Sequence, residues 1–587
     1  MARGPRTAMR WKRLGIWQDI SWADYAENVR AVGCALLEFG VVRGDRVAVL
    51  SDGRPDWAYV DFGTQGVGGT AVGIYATDAP RQVAWLLNDS AATIIFVENH
   101  EQLDKMLAVE QDVPQLRYIV IFDPRGLHGF SHPKLMTFAD FLTRGQAFHQ
   151  RQPARWDDEL ERNQPDDIAL IIYTSGTSGP PKGAMLSHHN IMFQMGAMEL
   201  LCPGMADDEQ LSFLPLSHIV ERYFTIYRPL DHGAVVNIGE GLGGLSENLR
   251  EVAPHVMMAV PRLWEKLYAA VTMAIAEATA LGQLGYRAAL NIGTRVADLR
   301  LAGQPTPWAL RFSYSLARLL VLNRVRAMIG LDRTRLLISG AAPISPDLIR
   351  WYVALGLDMV EAYGQTECTG HATSYGKGKG RIGTVGTAIT GSELRLGADG
   401  EILLKGPHIF QGYVNQPELT AATLRDGWLH TGDVGVLAAD GYLTVTDRLK
   451  DIIVTSGGKN VTPSEIETQL KFSPYIADAV VIGDQRKFLS CLVMIDHDAV
   501  VKYAQAADIP FTNFASLTRT REITALIQGE VDRVNRTFAR VEHIRRFALI
   551  DVQLTAEDEE LTATLKLKRR AVALRFKILV DAMYQEA

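Results

Sequence analysis

The residues Tyr173-Thr-Ser-Gly-Thr-Ser-Gly-Pro-Pro-Lys-Gly183 combine hydroxyls, glycines and one cation in a spacing that suits a polyphosphate. Gly176 and Gly179 let backbone N–H groups approach an anion, Thr174, Ser175, Thr177 and Ser178 add hydroxyl donors, and Lys182 supplies positive charge. A solvated turn would account for four such residues but not for this ordered run. Two familiar alternatives fail on spacing. A Walker loop requires Gly-Lys-Ser/Thr, whereas here Pro181 precedes Lys182 and Gly183 follows it. A hydrolase nucleophile elbow requires Gly-x-Ser-x-Gly, and Gly176-Thr-Ser-Gly-Pro180 breaks that pattern at its last position.

A bound triphosphate nucleotide needs more than a phosphate cradle, and the chain offers candidates for each further part. Ser339-Gly-Ala-Ala-Pro343 has small residues that allow a flat ring to approach the backbone. Tyr363-Gly-Gln-Thr-Glu367 places an aromatic, an amide, a hydroxyl and a carboxylate in one loop. Tyr363 is a candidate to stack on adenine and Glu367 to ligate Mg²⁺, a cation that prefers oxygen. Trp428-Leu-His-Thr-Gly-Asp433 offers a carboxylate for the ribose hydroxyls. Each stretch alone is a weak signal, since an Asp after Gly is more often a turn residue.

In this order the stretches resemble the motifs of the AMP-forming adenylating enzymes, the family of acyl-CoA synthetases, firefly luciferase and peptide-synthetase adenylation domains. The family's phosphate loop usually reads Thr-Ser-Gly-Thr-Thr-Gly-x-Pro-Lys-Gly, and this chain departs only by Ser178, which keeps the hydroxyl. The resemblance runs from about Arg10 to about Phe576. It implies that Thr174 to Gly183 wraps the β- and γ-phosphates, that Thr174 and Glu367 serve the metal, and that Ser339, Gly340, Ala341 and Ala342 line the nucleotide with Glu361, Ala362, Tyr363, Gly364, Gln365 and Thr366. Asp433 and Arg448 would bind ribose, and Lys450 falls at the family's interdomain hinge. Gly457, Gly458 and Lys459 would face CoA. Lys566 aligns with the family's adenylation lysine; Leu565 stands where many relatives have Gly, which makes Lys568 a rival.

The implied reaction uses ATP, Mg²⁺ and CoA. A carboxylate is adenylated to acyl-AMP, and CoA then takes the acyl group as a thioester. Leu214-Pro-Leu-Ser-His-Ile-Val-Glu-Arg222 and Val260-Pro-Arg-Leu-Trp-Glu-Lys266 are similar to the long-chain fatty acid branch, and His218 would lie near the carboxylate end of the acid. A CoA ligase for a bulky aryl-alkanoate or steroid side chain is the alternative within the family. A nucleotide-binding protein without activity is the alternative outside it, and Lys566, Glu367, Asp433 and Gly176 speak against that. Family members generally carry an additional N-terminal segment before the part that resembles Arg10 to Trp17, and the chemistry is expected to survive without it.

These loops need a scaffold. The apolar run Ile168-Ala-Leu-Ile-Ile172 reads as a buried strand that delivers the phosphate loop. Helical periodicity over residues 20–40, a strand at Val47–Leu50, a helix at Trp57–Phe62 and a strand at Ala71–Ile74 alternate as in a parallel sheet flanked by helices. Gly66-Val-Gly-Gly-Thr-Ala71 matches a dinucleotide fingerprint loosely, but its order is helix then strand, so it reads as a helix end. Further strands are expected at Val256–Val260, Leu336–Ser339 and Asp358–Ala362, and one ending at Leu211–His218. Residues 261–329 read as helices covering one face of the sheet, as a tunnel wall or as a membrane-contact face. The fold class expected is α/β. A large N-terminal domain, 1–447, includes a β-rich subdomain near 385–447, and a small mobile α+β domain, 448–587, turns about Lys450.

Length and composition agree. A chain of 587 residues exceeds one ordinary core. Its net charge of −7 argues against nucleic-acid binding, and its four cysteines show neither disulfide nor zinc spacing. The arginines near the N-terminus lack a following apolar run, so no secretory signal is read, and no stretch is long enough to span a bilayer. The expectation is a cytoplasmic enzyme, monomeric or homodimeric, with small-molecule partners and possible peripheral contact with a membrane.

Overall fold

The structure is a computed structural model that describes residues 3–174, 180–375, 380–554, 560 and 568–585. Its largest sheet has seven strands, in the order Leu135–Thr137, Tyr118–Ile121, Ile94–Val97, Arg46–Leu50, Thr70–Ile74, Ile168–Thr174, Lys182–Ser187. All neighbours are parallel except the last pair. Ile168–Thr174 is apolar throughout because both faces are covered: Leu170 and Ile172 enter one core, Ile171 and Tyr173 the other. The glycine-rich segment after Pro55–Gly66 turns into strand Thr70–Ile74 through Gly68 at φ +74°, the helix-then-strand order that excludes a dinucleotide loop.

A second sheet has Val256–Ala259, Leu336–Ser339 and Met359–Tyr363 in parallel, continued by the short antiparallel strands Thr373–Ser374 and Thr387–Ala388. Alternation sorts its side chains between two cores. Met258, Ile338 and Val360 face the main core, whereas Met257, Leu337 and Met359 face the helices that cover the other side. Those helices are Pro261–Ala276, Ala280–Leu301, Trp308–Ala317 and Asn323–Met328, the last two joined by a π-helical turn over Arg318–Leu322, together with Pro346–Ala354. The segment 261–329 is thus a helical cover on one sheet face.

A third sheet, ordered Glu209–Ser212, Val235–Ile238, Thr7–Arg13, Ile16–Ser21, incorporates the N-terminal strand. The strand expected to reach His218 stops at Ser212, and residues 213–218 form a loop. Pro215 in that loop has no N–H with which to continue a ladder. After residue 390 the chain becomes short antiparallel strands, Glu393–Leu396, Glu401–Lys405, Leu424–Arg425, Trp428–Leu437 and Leu443–Arg448. The C-terminal part has its own three-stranded sheet, Ile476–Ile482, Leu489–Ile495 and Ile544–Leu549, and its own apolar cores.

Candidate active site

The phosphate stretch is a β-hairpin whose arms are Ile168–Thr174 and Lys182–Ser187, with Thr174 directly opposite Lys182. The tip, Ser175 to Gly179, lies outside the described residues. Space is tight at Gly183, where a Cβ would stand 3.0 Å from the Ile171 and Tyr173 side chains. A strap from later in the chain, residues 411–414, adds on beside the hairpin: Met185 N–H donates to Gly412 O at 3.0 Å and Val414 N–H to Gly183 O at 2.9 Å. It delivers Tyr413. The Lys182 ammonium sits over the Tyr413 ring, 5.5 Å from its centre, and the Tyr413 hydroxyl donates to Glu367 Oε1 at 2.7 Å. Burial and the Glu367 charge both push the Tyr413 phenol up, so it stays a donor.

The second sheet delivers the next group from the C-terminal ends of its strands, where open α/β sheets bind ligands. Leu336–Ser339 leads into Gly340 and Ala341, the latter at φ +67°, a left-handed conformation costly for a residue with a Cβ. Met359–Tyr363 leads into Gly364, where a Cβ would fall 2.5 Å from Gly370 O, so only glycine lets the two loop arms meet. Tyr363 Oη donates to Asp433 Oδ2 at 2.8 Å, and Arg448 Nε lies 3.3 Å from Asp433 Oδ1. Asp433 and Arg448 face each other across paired strands, so the sheet register makes this contact. Burial, then the Asp433 charge, raise the Tyr363 phenol. Gln365 Nε2 reaches Thr431 O at 3.4 Å.

His218 caps the short helix Ile219–Arg222, its Nδ1 accepting from Val220 N–H at 3.3 Å. The ring is only half-buried by exposed area, yet loss of solvation in its surroundings brings its pKa down to about 4. The imidazole is therefore neutral near pH 7, and with Nδ1 accepting, its proton is assigned to Nε2. Behind it Glu221, pushed up to about 7 by burial, accepts from Ser212 and Thr225 hydroxyls at 2.7 and 2.9 Å.

These groups open onto one cavity of about 530 Å³. Thr174, Lys182, His218, Gly340, Ala341, Ala362, Gly364, Gln365, Thr366, Glu367, Arg448 and Lys450 all line it. Its apolar wall includes Met198, Val220, Tyr223, Phe224, Met258 and Ile338. Ser339, Glu361 and Asp433 are buried outside this lining. Burial alone pushes the Glu361 carboxyl up to about 8. Ala342 and Tyr363 are also outside it, and Gly457, Gly458 and Lys459 are exposed on a hairpin of the C-terminal part.

Lys566 lies outside the described residues. Its rival Lys568 starts the helix Arg569–Arg575, and its charge reaches Asp78 of the N-terminal part, partly offsetting the burial that raises that carboxyl to about 6. The sequence reading missed Tyr413, which lies in the Gly- and Asn-containing run Gln411–Pro417 and has no periodicity to announce it. The sole local signal was a large aromatic after Gly412, which adopts φ +124°. It also missed Arg425, Glu401 and His430, which line the cavity together, with His430 Nδ1 2.7 Å from Arg425 and 2.8 Å from Glu401.

A hairpin cradle and a buried carboxylate held by a tyrosine on one cavity, with a second carboxylate buried outside its lining between a tyrosine and the cavity-lining Arg448, define a nucleotide-using carboxylate-activating site. The chain belongs to the AMP-binding enzyme family, whose profile matches residues 2–414, with the family's C-terminal domain matching residues 450–587. Among similar proteins, the long-chain-fatty-acid–CoA ligase FadD15 of Mycobacterium tuberculosis is 33% identical over 577 residues, covering 97% of this chain and 93% of the relative. The mouse (Mus musculus) long-chain-fatty-acid–CoA ligase ACSBG1 is 32% identical over 618 residues, covering 99% and 84%. In fold, the anthranilate CoA ligase AuaEII, solved with anthranoyl-AMP, superposes with a TM-score of 0.75 at 21% identity, covering 99% and 96%.

Proposed function

We propose that the protein activates a long-chain fatty acid with ATP to acyl-AMP and transfers the acyl group to CoA, releasing AMP and pyrophosphate. The observation that carries this reading is the convergence of Lys182, Glu367 with Tyr413, and His218 on one cavity that also has an apolar wall of Met198, Val220, Tyr223, Phe224, Met258 and Ile338. The full-length similarity to long-chain-fatty-acid–CoA ligases supports the acid class. The protein acts on small molecules, as a monomer or homodimer in the cytoplasm, with peripheral contact to a membrane.

Each residue then has a task. Thr174, Ser175, Gly176, Thr177, Ser178, Gly179 and Lys182 hold the β- and γ-phosphates through N–H, hydroxyl and ammonium donors. Asp433 and Arg448 take the ribose, and Tyr363, pinned by Asp433, presents its ring to adenine beside Gly340 to Ala342. The Thr174 hydroxyl and the Glu367 carboxylate are hard oxygen donors on the same cavity, and Tyr413 fixes one Glu367 oxygen, so these residues fit Mg²⁺. When bound, that ion supplies charge neutralisation on the phosphates.

The fatty carboxylate attacks the α-phosphorus, the bond to pyrophosphate breaks, and Lys566 stabilises the charge on the non-bridging oxygens. Neutral His218 donates Nε2–H toward the acid's carboxyl oxygen. In the second half-reaction the CoA thiolate attacks the acyl carbonyl and AMP leaves. The protein's own thiols are not suited to that role. All four are buried, and burial raises Cys34 to about 11 and Cys368 to about 12. The division at 447/448, with Lys450 as hinge and Gly457 to Lys459 turned toward CoA, lets one small domain serve both steps.

Lys566→Ala tests the assignment directly. Acyl-AMP formation, read as pyrophosphate release, should fall by at least roughly a hundredfold, while CoA capture of supplied acyl-AMP stays largely intact. Equal loss of both halves overturns the role of Lys566, and the same split in Lys568→Ala alone transfers it to the rival.

A further inference from the structure

The helix Trp308–Ala317 and the π-helical turn Arg318–Leu322 that continues it carry their large apolar residues on two opposite sides. On one side Tyr314, Ala317 and Leu322 are buried against the cover of the second sheet. On the other, Trp308 is 83% exposed, Phe312 70%, Leu316 49%, Leu319 69% and Leu320 58%. The spacing of 308, 312, 316 and 319/320 puts these five on a single face. Single exposed apolar residues need no explanation; five on one helix face do. Leu281 and Leu284 of the neighbouring helix, 80% and 65% exposed, are apolar and solvent-facing as well.

Charge identifies the occupant. The chain as a whole carries a net charge of −7, yet residues 280–328 contain seven arginines and a single acid, Asp298. That acid is already held by Arg350 at 2.6 Å. Arg311 and Arg324, both exposed, lie on the exposed-face helices, and Arg287, Arg295 and Arg300 are exposed on the adjacent helix. An apolar stripe bordered by arginines, without acids of its own, is complementary to a bilayer surface bearing anionic headgroups. A second copy of the chain, net negative but equally arginine-rich on this face, would set like charges against each other in a symmetric pairing.

We propose that the face of Trp308–Leu320, with its flanking arginines, is the surface by which the protein lies on an anionic lipid bilayer. The proposal rests on the peripheral contact put forward above and gives it a location. The helix Trp308–Ala317 packs on Ala280–Leu301 and, through Tyr314 Oη donating to Ala354 O at 3.2 Å, on Pro346–Ala354, helices of the layer that covers the Met257 and Leu337 face of the second sheet, while Met258 and Ile338 of the same strands line the cavity. The proposed lipid surface and the site that consumes a lipid-soluble acid thus lie on opposite faces of the same sheet, with the helical cover between them.

Flotation with phosphatidylcholine vesicles, with and without phosphatidylglycerol, tests it on the full chain. The wild type should float with the anionic vesicles, and less so at high salt. Trp308→Ser/Phe312→Ser/Leu319→Ser should weaken binding by at least roughly tenfold, and Arg311→Glu/Arg324→Glu should remove the preference for phosphatidylglycerol. Both variants should retain turnover of a short, water-soluble acid, which shows that they fold. Binding by the wild type that the triple variant matches overturns this face but leaves peripheral contact standing. A wild type that floats with neither vesicle overturns both. A wild-type dimer that the triple variant converts to monomer, with vesicle binding unchanged, assigns the face to a second copy instead.

Discussion

At the scale of residues, the site depends on tyrosines that hold carboxylates. Glu367 is 8% exposed and Asp433 7%, and each accepts a phenol hydroxyl, from Tyr413 at 2.7 Å and from Tyr363 at 2.8 Å. Such a hydrogen bond to a charged acceptor is worth about 1.5–3 kcal/mol. Tyr413→Phe should therefore lower kcat/KM for adenylation by roughly ten- to a hundredfold, with KM for MgATP rising, while thioester formation from supplied acyl-AMP changes little. Paired kinetics of the two half-reactions check this, and equal loss in both would mean that Tyr413 supports the fold rather than the metal carboxylate. The Glu367 half of this pair was legible in the sequence, because Tyr363 to Glu367 is a local run of chemically distinct types. The Tyr413 half was not. It meets Glu367 only through the strap pairing beside the hairpin, and local spacing carries no record of a contact between residues 46 apart.

At the scale of elements, the strands deliver the loops and also trap a carboxyl. Glu361 is on strand Met359–Tyr363, where burial holds its pKa at about 8 against a usual 4.5. The folded state thus binds the proton more tightly than the unfolded state does. The stability this contributes is fully present below about pH 4.5 and is lost as pH rises toward 8. Glu361→Gln keeps the shape without the charge. Its stability, read by thermal melting, should match the wild type near pH 4 and exceed it above pH 8, by up to roughly 1.4 kcal/mol per unit of that shift. A variant less stable than the wild type at both pH values would place an essential ion contact at Glu361. The alternation of helix and strand was readable from periodicity, since buried parallel strands are apolar throughout. Burial depth at one glutamate was not. Nor was the outward face of Trp308–Leu320, because an apolar helical stripe reads the same whether a core or a lipid surface covers it.

At the scale of the whole molecule, the contacts by which the C-terminal part rests on the rest include ion pairs, a hydrogen bond and an aromatic stack. Arg262 donates to Ala477 O and lies 3.9 Å from Asp496, Lys502 pairs with Glu277 at 3.1 Å, and Tyr268 stacks on Phe472 with ring centres 5.1 Å apart. Relative motion is the ordinary expectation for domains joined within one chain unless their interface is large and hydrophobic. Asp447, just before the proposed hinge, accepts from Ser464 N–H and Oγ at 3.2 and 2.9 Å, a clasp that spans the hinge. Lys450→Pro should stiffen the connection and slow thioester formation more than adenylation, as measured in separate half-reactions. Equal slowing would indicate misfolding instead.

The central claim is that this site makes an acyl-AMP from a long-chain acid and passes it to CoA. Incubation of the purified protein with ATP, Mg²⁺, CoA and a panel of acids, with AMP and acyl-CoA quantified together, tests it most directly. The account predicts AMP and thioester in equal amounts, dependent on CoA and greatest for long-chain fatty acids over aryl-alkanoates or steroid acids. Release of ADP in place of AMP, or AMP without thioester, would contradict it.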